Sequence, residues 1–463
     1  FGEDLPAGAR KRLEWADRLA AEAGSGRGGE RGVLDAPASH LALPGPGAES
    51  GSLPGPDCHS WRVRIDDDDD SPFSGKSPGE RFNLFPVAYG DLVLVSTSLR
   101  VWAVDAFSSA VRWKSDEPPG WDAVRRGEQR QENGRAIPRS EFFEGIDRES
   151  LMIAPAAAGG IVVAALQIPV TQLGNTLYQG QIRITTIIPD RRLFAFDVDT
   201  GEVLWRHLPP PMWDGESGSF TERMRVAGPP VIAGTRVLVP VYRPQGRIDY
   251  HVACFDLATG AYLWSTSLIS GQVPLNMFGR PEQEYAAPPL VVEGGRVVAL
   301  TQLGAVAALD LFTGEILWES LYDQIALPGA NGFKPGARPR IWKNAPPVVV
   351  GNTVVATPSD SPDMIGLDLA TGAVLWSVPH SRLDDYRRMS YRANLALLGA
   401  SEDTIYLGGR SILAARAPGG LATGGAPYEF RSSRSILSTY NDPSRLPRPV
   451  LGERHVLVPT HDR

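Results

Sequence analysis

Short runs of apolar or alternating residues, broken by glycine-containing turns, fill the chain from residue 84 to 378, and no stretch keeps a helical period there. In APPLVVEGGRVVALTQ (287–302) two such runs flank Gly294-Gly295, and in VAALDLFTGEILWES (306–320) two more flank Thr313-Gly314. Glycine takes a positive φ without steric cost, so each stretch predicts a β-hairpin of short strands. Before this region, 1–24 predicts an amphipathic helix, with Leu13, Ala16, Leu19 and Ala20 on one face and Gly24 as its stop. Residues 25–57 are rich in Pro, Gly, Ala and Ser and predict a linker. HSWRVRI (59–65) predicts a lone strand that could pair with the last blade and close a ring.

The second hairpin recurs. VWAVDAFSSAVRW, LFAFDVDTGEVLW, VACFDLATGAYLW, VAALDLFTGEILW and MIGLDLATGAVLW place Asp105, Asp197, Asp256, Asp310 and Asp368 eight residues before Trp113, Trp205, Trp264, Trp318 and Trp376. A small residue (Ala103, Ala195, Cys254, Ala308 or Gly366) stands two positions before each Asp and leaves room for a large ring, read here as a repeat Trp. The Asp side chains, recurring at a hairpin turn, predict caps on backbone amides and not catalytic acids. Each unit carries about four short strands, and a single such sheet cannot bury both faces, so the units must stack. Four-stranded antiparallel sheets set radially with Trp between neighbours predict an all-β, seven- or eight-bladed β-propeller over 58–463, with its last blade or blades incomplete. The readable blades are 84–115, 151–207, 226–266, 285–320 and 344–378. A degenerate sixth spans 394–430, and a seventh begins at Pro449. The uneven spacing of the repeat Trp residues (92, 59, 54 and 58) predicts insertions between strands.

The A-x-D-x-x-T-G-x-x-x-W pattern resembles the Trp-docking motif of the PQQ-type propeller repeat superfamily, strongly over 84–378 and weakly to residue 463. That superfamily holds quinone-dependent alcohol and aldose dehydrogenases, the propeller lipoprotein of the outer-membrane protein assembly machinery, and many bacterial cell-envelope proteins without known activity. The resemblance implies the fold; function must come from a site.

A ligand at one mouth of the channel would be gripped just before the innermost strand of each blade. Those positions hold Arg81, Asn83, Glu149, Ser150, Arg223, Arg225, Glu284, Tyr285, Lys343, Asn344, Arg392 and Asn394. Of these, Arg225, Glu284, Tyr285, Lys343, Asn344 and Arg392 are the cofactor-binding candidates at the mouth. If pyrroloquinoline quinone and Ca²⁺ bound here, cations would meet the carboxylates, and Glu284 or Glu149 with Asn344 would meet the metal. The quinone alcohol dehydrogenases typically carry adjacent cysteines under the quinone. This chain has only Cys58 and Cys254, and Cys254 reads as a core filler in its repeat slot.

Composition excludes more than it selects. A formal charge of -7 with no basic stripe gives no case for nucleic acid, and no run of 18 apolar residues predicts a membrane span. The acidic run 66–70 lacks the spacing of a calcium loop, and the His residues lack metal spacing, so no metal site is expected. The start at Phe1 predicts a processed chain or part of a longer one, with membrane association only through a missing anchor or a partner. Three inserts, 116–150, 166–192 and 322–343, offer recognition surfaces. Trp121, Trp213 and Trp342 lie outside the repeat slots, and Trp121, Arg340 and Trp342 are the partner-binding candidates.

These features lead to a non-catalytic, protein-binding scaffold of the bacterial cell envelope, periplasmic and without cofactor. The alternative is a quinone- and Ca²⁺-dependent alcohol or aldose dehydrogenase, and a third reading is a sugar- or polymer-binding module.

Overall fold

The computed structural model describes residues 83–129, 134, 136–143, 145–147, 150–169, 188–209, 219–244, 247–272, 283–326, 340–382, 395–400, 403–408, 412–417, 420–421, 429–432, 450–451 and 456–457. The helix expected in 1–24, the linker, the 59–65 strand, Cys58, the acidic run 66–70, Arg81, Glu149, Trp213, Arg392 and Asn394 lie outside the described residues.

The chain is an all-β propeller of four-stranded antiparallel blades. Blade 1 is Val87–Tyr89, Leu92–Ser96, Val101–Asp105 and Val111–Lys114. Blade 2 is Ala156–Ala158, Ile161–Ile168, Asp190–Asp197 and Val203–Arg206. Blade 3 is Val231–Ala233, Arg236–Pro244, Ile248–Asp256 and Tyr262–Gly271, with Arg225–Val226 also paired to its second strand. Blade 4 is Val291–Glu293, Arg296–Leu300, Ala305–Asp310 and Ile316–Leu321. Blade 5 is Val348–Val350, Thr353–Ala356, Asp363–Asp368 and Val374–Pro379. Blade 6 is Ala396–Ala400, Thr404–Gly408, Ile412–Arg416 and Glu429–Ser432. A two-stranded pair, Val450–Leu451 with Val456–Leu457, follows.

Within each blade the strands pair in sequence order, the simplest meander. In blades 1 to 5 the middle strands are almost wholly buried, whereas the fourth strands have few buried residues, so the fourth strand lies at the periphery. The core is a series of apolar seams between successive blades. Leu94, Val101 and Trp113 meet Val162 and Phe194 at the first seam, and Leu238 and Tyr250 meet Leu290 and Leu309 at the third. Neither face of a four-stranded sheet is left to water, which is why the second and third strands read as near-continuous apolar runs.

The repeat motif explains each seam locally. The small residue of the third strand sits directly opposite the Trp of its own outer strand: Ala103 with Trp113, Ala195 with Trp205, Cys254 with Trp264, Ala308 with Trp318 and Gly366 with Trp376. The ring then reaches the next blade, where the turn glycine has no room for a side chain. A Cβ on Gly201, Gly260, Gly314 or Gly372 would lie 2.4–2.6 Å from Trp113, Trp205, Trp264 or Trp318 respectively. Three indoles also donate to a carbonyl of that next turn, Trp113 to Val198 at 2.7 Å, Trp205 to Leu257 at 2.9 Å and Trp318 to Leu369 at 2.9 Å.

The turn itself is fixed by its Asp. Asp310 Oδ1 accepts from the amides of Phe312 and Thr313, each at 2.8 Å, and from Thr313 Oγ1 at 3.1 Å. Asp197, Asp256 and Asp368 repeat this arrangement, and in blade 1 Asp105 holds Ser108 the same way. These amide bonds, led by that from Thr313, hold the Asp310 carboxyl below its ordinary range. Blade 6 lacks both Asp and Thr-Gly, and Trp376 packs toward its Leu397, Leu407 and Ala415 with the indole N–H unbonded among the described residues.

No helix among the described residues is long and apolar enough to cross a membrane. The two α-helical turns, Trp121–Arg125 and Phe220–Arg223, lie in connections. Both ends of the 166–192 segment belong to blade 2, whose strands Ile161–Ile168 and Asp190–Asp197 pair in register from Ile161–Asp197 to Ile168–Asp190.

Candidate functional site

Main-chain bonds tie together the segments that lead into neighbouring blades. The Phe85 amide donates to Ile153 O at 2.9 Å, that of Ala287 to Ala227 O at 2.8 Å, and that of Lys343 to Leu395 O at 2.8 Å. Asn83–Leu84 pairs in parallel with Met152–Ile153, and Trp342 bridges in parallel to Leu395. The mouth positions that are described therefore occupy a packed layer. Arg225, Glu284, Tyr285, Asn344 and Ser150 are all buried, and Lys343 is half-buried. The 116–150 insert contributes to this packing by bonding to the segments that lead into blades 4 and 5.

Its three fastenings are specific. Gly145 O accepts the Glu284 amide at 2.7 Å, Asp147 Oδ1 accepts Arg340 Nη1 at 2.9 Å, and Ser150 O accepts Asn344 Nδ2 at 2.8 Å. Behind them the charged side chains neutralise one another. Arg191 forks onto Glu284 at 2.9 and 3.2 Å and reaches Ser98 Oγ at 3.3 Å; Arg192 forks onto Asp190 at 2.6 and 3.0 Å, with Arg225 Nε 3.9 Å from Asp190. Burial pushes the Glu284 carboxyl up, and Arg191 pulls it back. Burial likewise works to depress the Arg225 guanidinium, but Asp190 and Tyr242 outweigh it and the net shift is upward. The Tyr285 hydroxyl is pushed well up by burial and donates to Thr301 O, its ring edge-on to Tyr242 and Tyr250.

Beside this layer lies a polar chain. Gln302 donates to Asn344 Oδ1 at 3.0 Å and accepts from Ser359 N and Oγ at 2.6 and 2.9 Å; Asp360 accepts from Tyr322 at 2.8 Å and Gln324 at 2.7 Å. Asn344 thus uses both ends of its amide internally.

Among the described residues, side chains that a planar tricarboxylate quinone with its calcium would call on already have partners. Arg191 is spent on Glu284, and Asn344 on Gln302 and Ser150. The cavity bordered by Arg191, Met152 and Val226 holds about 10 Å³, the room of one water.

The candidates Trp121 and Trp342 are interior, and Arg340 is partly exposed. Trp121 is 1% exposed, donates to Gln167 O at 2.9 Å and stacks on Phe143. Trp342 is 0% exposed, edge-on to His380 at 4.9 Å. Both rings pack within the chain, and Arg340 binds Asp147. Cys254 is fully buried against its Trp, and burial pushes its thiol up to about 11.

Sequence reading missed Asp190, Arg191, Arg192, Asp147 and Gln302. One signal was present: DRR at 190–192 puts three charges at the start of a repeat strand, where apolar residues belong.

The structures this chain resembles are distant. The crystal structure of BamB from Moraxella catarrhalis shares 16% identity over 74% of each chain with a TM-score of 0.40. The quinohemoprotein alcohol dehydrogenase ADHIIG from Pseudomonas putida HK5 shares 14% over 73% of this chain and 52% of its own, at 0.37. The quinohemoprotein alcohol dehydrogenase from Comamonas testosteroni shares 12% over 75% and 66%, also at 0.37. No curated protein matches the sequence. A family model does, over residues 61–271 and 189–424, which together span well over half of the chain. With the repeated Asp, Gly and Trp geometry above, that match shows that this chain belongs to the PQQ-like repeat family described as outer membrane protein assembly factor BamB.

Proposed function

We propose that the chain is a non-catalytic, protein-binding propeller scaffold of the bacterial cell envelope, working with other proteins of an envelope assembly and needing no cofactor. The observation that supports this reading is that, among the described residues, the groups that would grip a ligand are buried and bonded to one another or to the 116–150 insert. The family's description as an outer membrane assembly factor supports the location and the kind of partner. Apolar side chains are displayed instead at the periphery, where Phe107, Phe312 and Leu321 are 69%, 56% and 73% exposed.

Two measurements test this. Titration of the purified protein with pyrroloquinoline quinone and Ca²⁺, followed by dye-linked turnover on alcohols and aldoses, is expected to give neither binding nor turnover. Turnover that disappears in Glu284→Gln or Asn344→Ala would establish the dehydrogenase instead. Photo-crosslinking residues placed at Phe107 and Phe312 are expected to trap other envelope proteins in the cell.

A further inference from the structure

Unpaired edge strands are hazards, and proteins blunt them with charge, proline or shortness. The outer strands here follow that rule with one exception. Val111–Lys114 carries Arg112 and Lys114, Val203–Arg206 ends in Arg206, Ile316–Leu321 has Glu319 near its middle, Val374–Pro379 ends in proline, and Glu429–Ser432 has Glu429 and Arg431. The outer strand of blade 3, Tyr262–Gly271, reads YLWSTSLISG: ten residues, the longest of the set, with no charge and no proline.

Its inner side is well formed. Pairing with the third strand is unbroken from Trp264 to Ser267 and resumes from Ile269 to Gly271. Its outer side is open: among the described residues, no backbone hydrogen bond reaches 262–271 from outside its own blade. Tyr262 and Leu263 are 45% and 42% exposed, and Ser267 and Ser270 are exposed. The neighbouring blade adds an apolar margin. Its turn at Gly314 sits against Trp264 and accepts Thr266 Oγ1, and the residues just beyond, Ile316 and Leu317, are 44% and 47% exposed.

We propose that Tyr262–Gly271 is a strand-addition site that takes an extended, uncharged segment of another polypeptide, with apolar side chains at alternate positions, as a fifth strand of blade 3. This rests on the scaffold reading and names its recognition chemistry. The open row of amides and carbonyls selects an extended backbone, the lack of charge selects a neutral one, and Ile316 and Leu317 reward apolar residues on one face. A second copy of the chain is the poorer occupant. Ten paired residues give a strip about 33 Å by 10 Å on each partner, well short of the roughly 1,200 Å² that a stable dimer of two rigid bodies buries. A flexible segment has no such requirement, because it gains further contact by wrapping.

The test uses the whole chain and a twelve-residue peptide of alternating valine and threonine, N-methylated at every second residue so that one edge alone can pair. At about ten times its Kd, the peptide is expected to slow amide hydrogen exchange in 262–271 by about tenfold. Ser267→Lys is expected to weaken this at least about fivefold with an unchanged melting temperature, while Ser377→Lys on the outer strand of blade 5 leaves it intact. A peptide methylated at every residue keeps its side chains and is expected to give no protection. Equal protection by that peptide, or none from the first at millimolar concentration, would overturn the proposal. So would a concentration-dependent dimer abolished by Ser267→Lys, which would make a second copy the occupant. Loss of the strand site alone, with crosslinks at Phe107 or Phe312 retained, would leave the scaffold standing.

Discussion

Two glycines of the same backbone conformation separate the cost of a left-handed turn from the cost of displacing a docked indole. Gly295 has φ +75° and nothing within 4 Å of an added Cβ; Gly372 has φ +73°, and its Cβ would lie 2.5 Å from Trp318 Cε3 and 2.8 Å from Ser320 Oγ. Gly295→Ala should therefore cost only the left-handed conformation, roughly 1 to 2 kcal/mol. Gly372→Ala carries the same cost and must also push the ring out. That adds roughly 1 to 3 kcal/mol of overpacking and about 1 kcal/mol for the bond from Trp318 to Leu369 O. The two variants should thus differ by roughly 2 to 4 kcal/mol, or a loss of amide protection at the junction of blades 4 and 5 of at least about thirtyfold. Urea unfolding followed by tryptophan fluorescence, together with hydrogen exchange at that junction, measures both. Equal losses in the two variants would refute the assignment of Trp318 as the element that fills the space over Gly372.

Arg191→Met should destabilise by roughly 3 to 5 kcal/mol, because it leaves the buried Glu284 unpaired, and adding Glu284→Gln should restore most of the loss in a denaturation series. Ser109 holds φ 60° where other blades have glycine, so Ser109→Gly should stabilise by about 1 kcal/mol in the same measurement. Burial, aided by Arg243, holds the His251 imidazole down to about 4 from 6.5. The folded form thus favours the neutral ring, and this contribution is complete above pH 6.5 and lost as pH falls toward 4. His251→Gln should flatten the decline of the melting temperature across that window.

The blades were legible in the sequence because their determinants are local. An Asp that caps its own turn, a glycine beside it and a Trp opposite a small residue all fall within one hairpin, and the periodic strands around them show their burial in composition. The mouth was legible only as a set of positions. Polar residues before an inner strand look alike whether they meet water or one another, and what decides between these is the bond between Asp147 and Arg340, 193 residues apart. The same limit applies to Trp121 and Trp342. Trp342 stands in an irregular segment and Trp121 in a single helical turn, too short for a period to assign it a face, and only packing on His380 or Phe143 shows that each is interior.

The indole contact divides its parts between successive blades, ring and small residue in one, capped turn and glycine in the next. Any Trp-bearing copy can therefore mate with any copy that has the turn, whatever its place in the order. Removing one whole unit from the middle would bring Trp264 onto Gly372 with the same fit it now makes on Gly314. Growth and loss by whole units thus cost the lineage little at the joints, whereas the 116–150 insert, which matches residues at fixed remote places, is what ties this ring to its present number of parts.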